Sequence, residues 1–289
     1  MCLIGLFVEI ANGQNRTTAE LIGTVTDPSG AMLAGASVTV VNVQTKAAFP
    51  VTTNQAGYYD VPFLPPGVYA ITYAHPGFQT LSRTNVELQL GQNARIDVTM
   101  QLGATQSTVT VEATAPLVDQ EDSQRGTNIS NEMVGNLPLV GRDPSALAVL
   151  AAGTSTAQSG VGANPDPGRR NINGNRAFSI SATINGGSAI LPQSQNFQPF
   201  IPALGAVAEF SVVQDNFSAE YENGTSVLNM VTKSGTNRFS GSLFEFLENN
   251  VLDARNLFAA ANPPLRYNQF GGTLGGPVVR NKLFFFFSY

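Results

Sequence analysis

Cysteine and histidine occur once each in this chain, as Cys2 and His75. A disulfide framework needs pairs, and a Cys/His zinc site needs three or four ligands at close spacing, so neither is expected. Charge is scarce as well. Only 12% of residues are Asp, Glu, Lys or Arg, and 15 basic against 20 acidic side chains give a net charge of -5. With no basic run or stripe to meet a phosphate backbone, nucleic acid is not an expected partner. Long apolar runs are also missing: none approaches the ~20 residues of a spanning helix, so a membrane location would have to use a β-barrel.

What is present favours strands. The chain has 289 residues, 43% of them hydrophobic, which is enough to bury a core in each of two or three modest domains. Its 28 Gly and 17 Pro, with abundant Thr, Ser, Asn and Gln, suit short strands and turns better than helices, and the expected fold class is mainly β. Residues 1–17 open with MCLIGLFVEIANGQ, whose apolar core is of signal-peptide type but which lacks a basic lead and carries Glu9. They read as the remnant of an export signal or as a disordered terminus, with Cys2 too early for a lipoprotein cysteine.

Residues 18–102 are punctuated by turns whose residues match their geometric jobs. Asp27-Pro28-Ser29-Gly30, Asn54-Gln55-Ala56-Gly57 and Pro65-Pro66-Gly67 place Asp, Asn, Pro and Gly where turns favour them. Ala36, Val38 and Val40 alternate with polar residues, as do Ile96, Val98, Met100 and Leu102. Seven short strands fit, the count of a β-sandwich. Further on, Asp143-Pro144 is a helix start over Ser145 to Ala152 closed by Gly153, and Ser130 ahead of Glu132 and Met133 is a second helix signal. Phe210 and Val212, then Val227, Leu228, Met230 and Val231, read as strands of a small buried sheet around the Asn223-Gly224 turn.

The text GTVTDPSGAMLAGASVTVVN with TTNQAGYYDVPFLPPGVYAITYAHPGF resembles the carboxypeptidase regulatory-like domain, an immunoglobulin-like sandwich grouped with carbohydrate-binding-like folds. That name brings no peptidase activity, because His75 stands alone and reads as a strand-end or turn residue. Tyr58, Tyr59, Tyr69 and Tyr73 are candidates for stacking on a sugar, against the commoner role of aromatic core and rim packing. Later stretches (AEFSVVQDNFSAEYENG, NMVTKSGTNRFSGSLFEFLENN, NQFGGTLGGP, FFFFSY) resemble the plug-to-barrel junction of Oar-like TonB-dependent outer-membrane receptors, and ISNEMVGNLPLVGRDPSALAVLAAG resembles the opening of their plug. Such plugs usually show Asp-Gly where this chain has Asn185-Gly186, and Asn still makes the turn.

The resemblance implies a linker at 103–116, a plug domain at 117–236, and the first three strands of an outer-membrane β-barrel at 237–289. Within the linker, Thr108-Val109-Thr110-Val111-Glu112-Ala113 looks like a TonB box, the extended segment that a TonB-type energy-transducing protein captures by strand pairing. An ordinary strand joining sandwich to plug is the alternative. In the barrel part, a strand near Phe239 to Leu247 is followed by a long loop, a strand near Tyr267 to Gly276, a short turn at Val279 to Lys282, and a rise from Leu283 to Tyr289. Phe270 and Leu274 are expected outward with Gln269 and Thr273 inward, while Leu243 and Glu245 would share the inner face of the first strand. Gly271-Gly272 and Gly275-Gly276 lack a βαβ setting and read as strand glycines beside the plug, not as a dinucleotide fingerprint.

Three strands cannot close a barrel, so the chain is expected to be the front of a longer receptor. The implied function is ligand uptake across the bacterial outer membrane, with the sandwich in the periplasm. Its implied partners are a TonB-type protein, outer-membrane lipid and an unknown ligand, carbohydrate among the options. The alternative is a secreted carbohydrate-binding or adhesion module, against which an exposed FFFFSY end counts as an aggregation site. An enzyme is not expected: no catalytic constellation, cofactor motif or metal site stands out, and although the carboxylates Asp215, Glu220 and Glu222 cluster in sequence, Glu220 and Glu222 fall on one face of a strand pattern and read as plug-to-barrel contacts. The sequons at Asn15, Asn128, Asn216 and Asn223 read as chance matches in an Asn- and Ser/Thr-rich chain.

Overall fold

The computed structural model describes residues 17–103, 108–112, 125–130, 133, 144–156, 170–174, 180–189, 202–215, 226–251, 254–255 and 264–289. Strands dominate, and they fall into three units in chain order.

The first unit is a sandwich. One sheet runs in the order β4-β1-β7, built from β1 (Ala19–Thr26), β4 (Tyr58–Leu64) and β7 (Asn93–Arg95), with β8 (Val98–Thr99) also pairing β1. The other holds β2 (Ser37–Asn42), β3 (Ala48–Thr52), β5 (Gly67–Ala74), β6 (Thr80–Leu88) and β9 (Thr108–Glu112), in the order β3-β2-β5-β6-β9. Alternation decides what faces inward: Val38, Val40, Tyr69, Ile71 and Tyr73 on one sheet meet Leu21, Val25, Tyr59 and Val61 on the other, all 2% exposed or less.

Eight strands lie between Ala19 and Thr99 where seven were expected. The surplus comes from an interruption, since β7 and β8 both run parallel to β1. At the break the Asp97 carboxylate accepts the Thr24 N–H at 2.9 Å and the Thr24 hydroxyl at 2.8 Å, taking a place in the ladder that a backbone carbonyl would fill. Ile96, Val98 and Met100 are buried as the alternation implies, but Leu102 is 68% exposed because the chain has left the sheet and only bridges Phe78.

The turns follow their residues. Asp27 Oδ1 accepts from the Ser29 and Ala31 N–H groups, and Asn54 Oδ1 from those of Ala56 and Tyr58.

The second unit is centred on a mixed sheet in the order β10-β15-β16-β13-β14. Its strands are β10 (Arg125–Ser130), β13 (Ile180–Ile184), β14 (Gly187–Ser188), β15 (Val207–Asp215) and β16 (Ser226–Thr232). A small hairpin, β11 (Thr154–Thr156) with β12 (Arg170–Ile172), flanks it. Phe210, Val212, Leu228 and Met230 are fully buried with Ile129, Leu147 and Ala182 around them.

The expected helix after Asp143 is a 3-10 segment, Pro144–Leu150, which turns Leu147 and Ala148 into the core and leaves Val149 and Leu150 exposed. Gly153 closes it with φ +78° as its position implies. The other helix signal falls where β10 ends, with Asn131 and Glu132 outside the described residues. The Asn223-Gly224 turn, Glu220 and Glu222 also lie outside them.

Asn185 (φ 50°) and Gly186 (φ 82°) both adopt left-handed conformations between β13 and β14, as a two-residue hairpin turn requires. Asn185 also accepts the Thr232 N–H at 2.9 Å and donates Nδ2 to the Thr232 hydroxyl at 2.9 Å. An aspartate could not make that donation.

The third unit is an antiparallel meander of β17 (Ser240–Asn249), β18 (Arg266–Val279) and β19 (Leu283–Ser288). Register corrects one expectation here. Glu245 pairs Phe270 and Gly241 pairs Leu274, so Leu243, Glu245 and Leu247 share the face of Phe270 and Leu274 rather than the inner face. The opposite face carries Phe244, Phe246, Gln269 and Thr273, with Ser242 and Thr273 hydroxyls 2.8 Å apart.

Candidate functional site

The three units meet through a small set of polar contacts, and these define the candidate site. From the sandwich, the turn after β6 presents Gln89 and Leu90. From the second unit, Glu209 on β15 accepts the Leu90 N–H at 3.0 Å, while Asn128 on β10 donates Nδ2 to Gln89 Oε1 at 3.2 Å and to Leu90 O at 3.3 Å. Glu209 is only 8% exposed. Burial pushes its carboxyl up to about 7 from the ordinary 4.5, the charge of Glu87 adds to the rise, and the Leu90 N–H opposes it.

A second junction joins the sandwich to the third unit. Asn237, just before β17, donates Nδ2 to Gln44 O at 3.2 Å and Thr45 O at 2.9 Å in the β2–β3 turn, and its backbone N–H also reaches Gln44 O. Its side chain also pairs with Asn281 in the β18–β19 turn. Gly235 sits beneath this point. A β-carbon there would strike Phe285 O and lie 2.7 Å from Gly276 O, so only glycine lets the chain cross so close to β18 and β19. Burial also lowers the Lys233 ammonium pKa two residues earlier.

Between these junctions the two faces of the meander differ in what they touch. The inner face meets the second unit, where a β-carbon on Gly205 would lie 3.5 Å from the Phe244 ring and 3.6 Å from the Thr273 methyl. The outer face presents Leu243 (93% exposed), Phe270 (66%), Leu247 and Phe287 (60% each) and Leu274 (49%) to the surroundings. A row of exposed aliphatic and aromatic side chains on one face of a sheet, with hydroxyls and amides on the other, is the pattern of strands bathed in lipid. Of the strand glycines, Gly275 lies against Gly235, as expected for packing beside the preceding unit. Gly272 instead faces Leu243 on the outer side.

The segment Thr108–Glu112 is placed as β9, an edge strand running parallel to β6 with Thr80 opposite Thr108 and Thr84 opposite Glu112. Ala113 lies outside the described residues.

The tyrosines are mostly withdrawn from any ligand. Tyr59, Tyr69 and Tyr73 are 1% exposed or less, so no ring face is open for sugar stacking, and only Tyr58 keeps partial exposure. The Tyr59 hydroxyl donates to Ile96 O at 2.8 Å and lies 3.0 Å from the Tyr73 hydroxyl, while Tyr69 donates to Pro65 O at 2.6 Å. Alternation on a half-buried sheet put these rings inward; the sequence showed their spacing but not which face was core. His75, just past the end of β5, packs edge-on against Phe78.

Two contacts in this site carried no local sign. Leu90 and Glu209 are 119 residues apart in sequence, and only an acidic residue inside the apolar strand VAEFSVVQD hints that Glu209 has a special partner. Asn237 looked like one more polar residue in a Ser/Thr/Asn-rich turn.

Residues 20–101 match the carboxypeptidase regulatory-like domain, and residues 231–289 match an outer membrane beta barrel domain. The chain is 26% identical over 280 residues to the TonB-dependent transporter Oar of Myxococcus xanthus, an alignment covering 93% of this chain and 26% of the relative. It therefore spans about a quarter of that protein's length. Among solved structures, the siderophore receptor PirA from Acinetobacter baumannii aligns at 18% identity with a TM-score of 0.39, over 54% of this chain and 22% of that one. A putative carbohydrate binding protein from Pseudomonas aeruginosa aligns at 16% identity with a TM-score of 0.23, over 31% of this chain and 92% of that one.

Proposed function

We propose that this chain belongs to an Oar-like TonB-dependent outer-membrane receptor that gates ligand uptake through a plugged β-barrel powered from the periplasmic side. The outer membrane is its location, with the sandwich in the periplasm. The second unit serves as the plug and the meander as the first barrel strands, with domain limits at 18–102, 103–116, 117–236 and 237–289.

One observation carries this reading. The meander has an apolar outer face and an inner face packed on the preceding unit at Gly205, which is how a barrel wall stands between lipid and plug. A freely soluble adhesion module would have no use for a row of leucines and phenylalanines exposed on β17 to β19.

The chemistry needed is binding and movement, with no reaction on the ligand. Loops and plug receive the ligand; Thr108–Glu112 (with Ala113) is taken by a TonB-type partner through main-chain pairing; and traction on that segment opens a path past the plug. The ligand belongs to a class the receptor's outer loops select.

The test is Val109→Pro in the receptor as encoded, because proline deletes a main-chain donor and fixes the backbone angle. Purified periplasmic domain of the TonB-type protein should be retained by the parent receptor and at least tenfold less by the variant, while Thr110→Ser stays close to the parent. Equal retention by parent and Val109→Pro would contradict the assignment.

A further inference from the structure

Basic side chains gather around one amide in a chain that has few of them. Lys46 follows Thr45, whose carbonyl accepts Asn237 Nδ2 at 2.9 Å; Arg238 follows Asn237 itself; and Arg280 and Lys282 flank Asn281, whose N–H donates to Asn237 Oδ1 at 2.8 Å. Consecutive Cα atoms lie about 3.8 Å apart, so four long cationic side chains start close to a single point. All four are exposed, and among the described residues no carboxylate pairs with any of them. The net charge of the chain is -5, so this corner runs against the overall sign. Carboxylates collect instead at the other junction, where Glu209 accepts the Leu90 N–H and Glu87 is near enough to act on it.

The turns that carry the cations are held in shape. Asn42 accepts the N–H groups of Gln44 and Thr45 through Oδ1 and that of Lys46 through its carbonyl, each at 2.9 Å. Lys46 (φ 63°) and Asn281 (φ 62°) are both left-handed, a conformation that asparagine tolerates and lysine adopts only at a cost. A strained residue that keeps a cation at this spot points to a use for the cation.

Apolar side chains begin directly beside the charges. Phe239 (71% exposed) follows Arg238, Val278 and Val279 precede Arg280, and Leu283 follows Lys282. The Phe239 ring lies over Gly276, and its centroid is 6.3 Å from that of Phe285. Gly276 pairs Phe285 two residues along from the Leu274–Phe287 pair, which puts this aromatic group on the outer face. Cations bordering an exposed aromatic and aliphatic band match a membrane surface, where acyl chains meet charged headgroups.

We propose that this corner binds the headgroup of an anionic phospholipid in the inner leaflet of the outer membrane, with Lys46 from the sandwich and Arg238, Arg280 and Lys282 from the foot of the barrel as its cations. The inference rests on reading the third unit as barrel wall with its β18–β19 turn in the periplasm. The ammonium and guanidinium groups donate to the phosphate oxygens, while the acyl chains run along Phe239, Phe285 and Val278. Because one cation comes from the sandwich, a bound lipid bridges the two units and reinforces the Asn237 joint.

The experiment uses the receptor as encoded, purified in neutral detergent, with dioctanoyl phosphatidylglycerol as the probe and the zwitterionic phosphatidylcholine of the same chains as control. Bound lipid is counted by native mass spectrometry. The parent should bind the anionic lipid at least about fivefold more tightly than the control, and Lys46→Gln should weaken it by about that factor, the usual worth of one basic side chain at an anionic lipid surface. Lys46→Arg should bind like the parent. Arg280→Gln with Lys282→Gln should remove the preference, and Arg266→Gln, an exposed cation at the other end of β18, should leave it intact. In the parent alone, the preference should shrink as salt rises.

Equal affinity of the parent for both lipids, or an equal loss in Arg266→Gln and Lys46→Gln, would overturn the site. So would displacement of the lipid by inorganic phosphate at the same concentration, which would make this a free-anion site. The barrel reading is checked separately, in a Cys2→Ser background, by whether a bulky maleimide reaches Lys282→Cys. If that cysteine labels only after the outer membrane is permeabilised while the parent shows no lipid preference, the site fails and the barrel reading stands. If it labels on intact cells, both fail together.

Discussion

Asn237 and Asn281 hold each other by a reciprocal pair: the Asn281 backbone N–H donates to Asn237 Oδ1 at 2.8 Å, and Asn237 Nδ2 donates to Asn281 Oδ1 at 2.9 Å. Because Asn237 Nδ2 also reaches two sandwich carbonyls, a single amide joins the sandwich to the first turn between barrel strands. Asn237→Ala should loosen that joint by about 1–3 kcal/mol, given the usual net worth of a few such bonds. Hydrogen exchange would show it as faster exchange at residues 42–47 and 280–282, with the plug sheet unchanged. Asn237→Asp keeps the acceptor and loses the donors, so it should fall between parent and alanine variant. Unaltered exchange in the alanine variant would refute the joint.

Stability should depend on pH through Glu209. Burial raises its carboxyl to about 7 in the folded protein from an ordinary 4.5, so the native state holds the proton more tightly than the unfolded one. The stabilising contribution is full below about 4.5 and is lost as pH climbs through about 7. The denaturation midpoint should therefore fall across that window, although the Leu90 N–H favours the ionised carboxyl and partly offsets the loss. Glu209→Gln keeps an acceptor for Leu90 but does not ionise, and its midpoint should not show this fall; a parallel decline in both proteins would rule out Glu209 as the source.

Gly235→Ala should hinder assembly of plug and barrel wall, because the added methyl strikes the carbonyls of Phe285 and Gly276 and backbone cannot swing aside as a side chain can. The expected cost is about 1–3 kcal/mol or more. It is read as a reduced yield of folded, heat-modifiable receptor in the outer membrane, with Ser234→Ala at the exposed neighbouring position as the control. Normal yield would mean that this crossing is looser than it looks.

Residues 18–102 should fold alone, since residues from Ala19 to Met100 on both sheets join in one buried hydrophobic cluster. In that isolated domain Tyr59→Phe leaves Ile96 O and the Tyr73 hydroxyl short of a buried partner, at a cost of about 1–3 kcal/mol. For a domain of this size each kcal/mol lowers the melting midpoint by roughly 4–8 °C. A variant that melts with the parent, or a parent with no cooperative melt, would contradict the packing described.

Much of this fold was legible because alternation and turn chemistry are local. Asp27, Asn54 and Asn185 sit in the turns their side chains favour, and Val38, Val40, Phe210 and Val212 face the cores their spacing implies. What could not be read was set by register or by long-range pairing. Leu243 and Glu245 share a face whichever way the strand is turned, and only the Glu245–Phe270 pairing shows that the face is the outer one. Tyr59, Tyr69 and Tyr73 looked like a row of rings and proved to be core, since a period of two leaves the buried face unspecified. At Thr108–Glu112 the strand was visible in the sequence, but its partner β6 lies nearly thirty residues earlier. Glu209 and Asn237 act through contacts more than a hundred residues away in sequence, beyond any local pattern.

The central claim, that the third unit is barrel wall with its β18–β19 turn in the periplasm, is tested most directly by labelling intact cells. In a receptor carrying Cys2→Ser, single cysteines at Val251→Cys, in the exposed turn after β17, and at Lys282→Cys, in the β18–β19 turn, are treated with a bulky maleimide that the outer membrane excludes. Val251→Cys should label on intact cells, and Lys282→Cys only after the outer membrane is permeabilised. Labelling of Lys282→Cys on intact cells, or of neither position before permeabilisation, would contradict the account.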